Sequence, residues 1–237
     1  MRRILVRAAV LLAANPVIVL PSLAIGAASA AIARPLEAAG ISSWNFFGDL
    51  DAQGVQGFWE YAATIVALGL RVLAALAAIA FTTGMAGAAW TSGRARLRDG
   101  AAAFARRGPQ ALAALAILFL TGLGASVLAV PTFGISVVVY AALSLYAMPA
   151  VIVGARPATD AVIESMRLTW RNAPVTLALV ALIVVLAVAG GLAGRAAAGI
   201  PVLGEAAGWI VMEAVVAYAT LVVVGEYLKL ESPAQAP

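Results

Sequence analysis

The chain has 237 residues, of which 64% are hydrophobic and 11% charged, with a net charge of +4 and neither His nor Cys. Soluble domains carry about 25% charged residues, so a chain this apolar lacks the polar surface of a water-soluble globule and takes a bilayer as its solvent. The missing Cys excludes disulfides, Fe–S clusters and thiol nucleophiles, and the missing His removes the usual zinc and haem ligands and the commonest general base.

A membrane span needs about 20 mostly apolar residues. Six are expected, at 16–33, 62–90, 109–130, 132–153, 174–194 and 206–228, in one integral domain covering 1–237. The N-terminal stretch also imitates a signal peptide, because Arg2 and Arg3 precede an apolar run that reaches Ala28-Ser29-Ala30. That run is longer than an ordinary signal core of about 7–15 residues and is interrupted by Pro16 and Pro21, so an uncleaved first span is the favoured reading. The long connection 34–57, with Trp44, Phe46 and Phe47, reads either as a headgroup-level segment or as a plain loop with buried aromatics. Spans three and four turn at Val130-Pro131-Thr132, where proline cannot continue the helical ladder. Gly190 and Gly194 in the fifth span have the spacing of a close helix contact.

Charge placement orients the spans. With the N-terminus inside, the cytoplasmic segments hold Arg2, Arg3, Arg7, Arg94, Arg96, Arg98, Arg106, Arg107, Arg156, Arg167, Arg171 and Lys229. The far side holds only Arg34 and Arg195, and Arg71 falls inside a span. This asymmetry predicts both termini in the cytoplasm, and the Arg- and Ala-rich composition fits a bacterial inner membrane.

Three prolines also share a register: Asn15-Pro16, Gly108-Pro109 and Ala173-Pro174. A helical apolar stripe precedes each: Ile4, Ala8, Leu11 and Leu12, then Leu97, Ala101, Phe104 and Ala105, then Val162, Met166, Thr169 and Trp170. Each unit is expected to be an amphipathic interfacial helix, a proline bend and a membrane hairpin. The two stronger interfacial helices are 94–107, with Ser92 as a cap, and 159–172, capped by Thr159 or Asp160. Their arginines Arg94, Arg98, Arg106, Arg107, Arg167 and Arg171 are the candidate contacts to anionic lipid.

The third unit reads Tyr140-x5-Tyr146-x2-Pro149-Ala150, then Gly154, Asp160-Ala161-x3-Ser165 and Trp170-Arg171-Asn172-x-Pro174. This pattern, best over 140–230, resembles the multispan membrane domain fused to some glycerophosphodiester phosphodiesterases and related stand-alone bacterial membrane proteins. The resemblance implies six helices and a lipid-related or scaffolding role. It implies no activity, because the membrane domain is not the catalytic part.

Ionisable groups inside spans are the default functional suspects. Arg71 and Glu213 are the two here, and an Arg71–Glu213 ion pair would neutralise both and tie span two to span six. Asp49 and Asp51 are the nearest approach to a metal site and read as a solvated loop. The expected function is therefore non-enzymatic and without cofactor. It would work through membrane lipids, other membrane proteins or a second copy as partners, and not through nucleic acid. The alternative is a small transporter or export accessory using the outward-side Arg71–Glu213 site.

Overall fold

The computed structural model describes residues 1–24, 27, 77–198 and 204–231, and the regular structure among them is all helical. Among the described residues, four helices are long and apolar enough to cross a membrane, with 135–152 taken as one, or five if the bent pair near the N-terminus also counts as one. Parts of the expected spans 16–33 and 62–90 lie outside the described residues, as do Arg71, the aromatic connection 34–57 and the Asp49–Asp51 pair.

Helix α1 (Arg2–Ala14) buries Ile4, Ala8 and Leu11 and stops at Asn15. The next helical segment α2 (Pro16–Ala24) leaves at 91° to it. Pro16 takes the first helical position, where its missing N–H is not needed. Helix α3 (77–92) ends at Gly93, whose left-handed φ of 72° suits glycine.

Helix α4 (Leu97–Val127) corrects the expected second unit. It runs unbroken through Pro109 for 31 residues, so 94–107 is not a separate interfacial helix and no break follows Gly108. The difference from the other units lies in the residue at the junction. Asn15 and Asn172 turn their side-chain amides back to the carbonyls of Leu11 and Leu168 at 2.9 and 3.1 Å, competing with the helical ladder. Gly108 has no side chain to do so. The caps differ as well. Asp99 Oδ2 accepts the Arg96 N–H at 2.9 Å at the start of α4, while the Ser92 hydroxyl donates to the Ala88 carbonyl.

A turn over 128–134, with positive φ at Phe133 and Gly134, leads into α5 (Ile135–Ser144) and the short α6 (Ala147–Ile152). The expected fourth span is present as 135–152, but its helical ladder is interrupted at Leu145-Tyr146. Pro149 accounts for it, since its ring clashes with the carbonyl four residues back, that of Leu145. Helix α7 (Ala158–Arg171) coincides with the helix expected over 159–172, though Pro157 and not Thr159 or Asp160 stands at its cap position. Helices α8 (Ala173–Ala198) and α9 (Gly204–Glu231) complete the described chain.

The α8–α9 pair is the most extensive packing. Their backbones approach at Gly194 and Gly208, where a Cβ on Gly208 would lie 2.9 Å from the Gly194 carbonyl oxygen. Of the expected close contact, Gly194 thus meets backbone, while Gly190 lies against the Val215 side chain. Burial concentrates at the end of the molecule that carries most of the arginines, around Ala8, Met85, Tyr146, Val151, Leu221 and Tyr227. Towards the other end, Leu120, Val127, Phe133, Val185 and Leu192 stay exposed, as suits helices solvated by acyl chains.

Candidate functional site

Helix α7 lies at the basic end. Its side chains fall into three adjoining sectors. Ala158, Ala161, Val162, Ser165, Leu168 and Thr169 are buried against the bundle. Ile163, Met166 and Trp170 form an exposed apolar sector, with Trp170 77% exposed. Asp160, Glu164, Arg167 and Arg171 form the third, charged sector. The expected stripe of Val162, Met166, Thr169 and Trp170 is thereby split, because apolar periodicity cannot tell a protein contact from a lipid contact.

The same order recurs in α1. Ile4, Ala8 and Leu11 face inward, Val6 and Val10 are 57% and 60% exposed, and Arg3 and Arg7 follow around the helix. At the start of α4, Gly100 and Phe104 pack inward while Leu97, Ala101 and Ala105 are exposed, with Arg98 and Arg106 beyond. Of the expected stripe there, only Phe104 packs against the core.

Polar side chains fix these helices to the bundle. The interruption between α5 and α6 frees backbone groups, and α7 takes them up. The Ser165 hydroxyl donates to the Leu143 carbonyl at 2.6 Å and accepts the Tyr146 N–H at 3.0 Å. The Thr169 hydroxyl donates to the Ala142 carbonyl at 2.8 Å. The Tyr146 and Thr176 hydroxyls pair at 3.3 Å. At the start of α7, Gln110 Oε1 accepts the Ala158 N–H at 3.0 Å. Asn15 does the same for the loop ahead of α4, since its Oδ1 accepts the Ala95 N–H at 2.8 Å while its Nδ2 donates to the Gly93 carbonyl. A carboxamide beside the proline of one unit thus holds the backbone that opens the next.

Trp90 joins α1, α3 and α9. The Arg7 guanidinium lies 4.9 Å from its ring centroid, and its Nε1–H donates to the Leu221 carbonyl at 2.8 Å. The indole rests on Gly225, where a Cβ would clash with the ring.

The sequence singled out Glu213 and passed over Glu226. Glu226 is wholly buried, and Lys229 Nζ donates to its Oε1 at 2.8 Å. Its place near the C-terminal end of the last span reads as headgroup-level, and only the Lys three residues on, sharing its helix face, marks a pair. Nearby, the buried Tyr227 hydroxyl lies among the charges of Arg156, Glu164 and Glu231 and fills the space over Gly154.

The candidate residues are placed as follows. Arg71, and with it the Arg71–Glu213 pair, lies outside the described residues. Glu213 is half-buried on α9 with the Ser22 hydroxyl beside its carboxylate. Arg94, Arg98, Arg106, Arg167 and Arg171 are exposed and Arg107 is half-buried. Arg167 pairs with Glu164 at 2.9 Å, and Arg106 Nε donates to the Ala102 carbonyl at 3.1 Å. The described residues contain no group of three acidic side chains placed to hold a metal. The chain matches no protein-family model, no curated protein and no solved structure.

Proposed function

We propose that this chain is a non-enzymatic integral membrane protein that works through lipid contact, with six spans, both termini cytoplasmic and its basic end at the inner leaflet of a bacterial cytoplasmic membrane. The observation that carries the reading is the three-sector division of α7: one face for the bundle, one for acyl chains, one for water and headgroups. The concentration of arginine at one end supports the orientation, and the resemblance to a phosphodiesterase-associated membrane domain supports a lipid-related role without an activity.

Native mass spectrometry with co-purified lipid tests it. Replacing Arg94, Arg98, Arg106 and Arg107 by Gln should weaken the retention of anionic phospholipid, and unchanged retention would count against the reading. Cysteine accessibility at exposed positions of 97–107 and α7 tests the orientation. A second reading, a small transporter or export accessory, draws support from the half-buried Glu213 beside Ser22. It requires that Glu213→Gln abolish flux in a folded protein.

A further inference from the structure

The exposed surfaces of α1 and α7 share a layout but differ in charge. Helix α1 carries Arg2, Arg3 and Arg7 and no acidic residue. In α7, Asp160 and Glu164 cancel Arg167 and Arg171, and Arg167 is already held by Glu164. We infer, building on the lipid-contact reading above, that the two surfaces have separate tasks. Helix α1 and the adjoining loop 93–96 select anionic phospholipid by charge. Helix α7 enters the leaflet through its apolar sector, whatever the headgroup.

Several observations converge on the first task. Arg2 and Arg3 lie in the first turn of α1, where positive charge opposes the helix dipole. Both are exposed, and their side chains make no hydrogen bond or ion pair among the described residues. An anionic leaflet offsets that repulsion, and Val6 and Val10 on the adjoining sector give the helix an apolar surface to immerse. Asn15 ties the end of α1 to Gly93 and Ala95, which sets the exposed Arg94 and Arg96 in the same basic region. For the second task, α7 offers the bulkier side chains Ile163, Met166 and Trp170, and an exposed Trp is at home at the headgroup boundary. Net neutrality leaves α7 with little pull towards an anionic surface.

Two tryptophans report the two surfaces separately: Trp90 lies under Arg7 of α1, and Trp170 belongs to the apolar sector of α7. With Trp44, Trp59 and Trp209 changed to Phe, the full-length protein is reconstituted into vesicles of brominated phosphatidylglycerol or brominated phosphatidylcholine. The Trp170 signal is the difference made by adding Trp170→Phe, so Trp90 and its packing stay intact. Trp90 should be quenched preferentially by phosphatidylglycerol. That preference should fall about fivefold for each of Arg2→Gln and Arg3→Gln and weaken in high salt. Trp170 should be quenched equally by both lipids and be indifferent to Arg167→Gln and Arg171→Gln. A Trp90 preference that survives the loss of Arg2 and Arg3 overturns the division, as does a Trp170 preference that depends on Arg167 and Arg171. Quenching of neither tryptophan by either lipid would instead remove the lipid-contact reading itself.

Discussion

Ser165→Ala tests whether α7 holds the interrupted span together. The hydroxyl is fully buried, accepts the Tyr146 N–H and donates to the Leu143 carbonyl. Alanine removes one oxygen and leaves almost no cavity, so the packing term is small. What remains is a buried N–H and a buried carbonyl without their partner, each costing about 1–3 kcal/mol. Hydrogen bonds between membrane helices average only about 0.6 kcal/mol, because the alternative states find other partners. Here the two groups lie at a break in the helix and have no ladder to return to, so a loss of about 2–4 kcal/mol is expected. Thr169→Val, which removes the single bond to the Ala142 carbonyl, should cost about 1 kcal/mol. Reversible unfolding in mixed micelles followed by circular dichroism measures both. A Ser165→Ala loss no larger than that of Thr169→Val would refute the argument that α7 satisfies the break.

Three further outcomes are expected. Gly154→Ala should destabilise the basic end, since its Cβ would run into the Tyr227 hydroxyl, and adding Tyr227→Phe should recover part of the loss in the same assay. Lys229→Met should cost about 3–5 kcal/mol by leaving the Glu226 carboxylate buried and unpaired. Glu226→Leu should cost much less, because the partly exposed Lys229 can turn to water. Pro109→Ala should raise the melting temperature by restoring a bond inside the continuous α4, whereas Pro174→Ala, in the first turn of α8, should leave it nearly unchanged.

Composition and periodicity alone dictate a helical membrane protein, because a chain with so few charges must satisfy its backbone within helices. The locations of the later helices were legible for the same reason, as were α7 and the close Gly194 contact. Span 132–153 is a more instructive case. Its hydropathy is continuous, yet Pro149 and the partners on α7 decide that it breaks at Leu145. Pro109 gives the opposite lesson, for a proline read as a bend lies inside a continuous helix where no asparagine competes for the backbone.

Sequence pattern also marks which residues are apolar, but not what they touch. Met166 and Trp170 face outward while Val162 and Thr169 of the same stripe are buried, and only the packing of α7 on α4, α5 and α6 separates them. Glu226 is likewise indistinguishable in sequence from a headgroup-level acid. Its burial follows from the packing of the basic end, where elements far apart along the chain come together. The sequence therefore determined that this chain needs a bilayer and where its charges gather. The tertiary structure decided which faces meet protein and which are left open, because lipid and protein interiors are equally apolar and hydropathy cannot distinguish them.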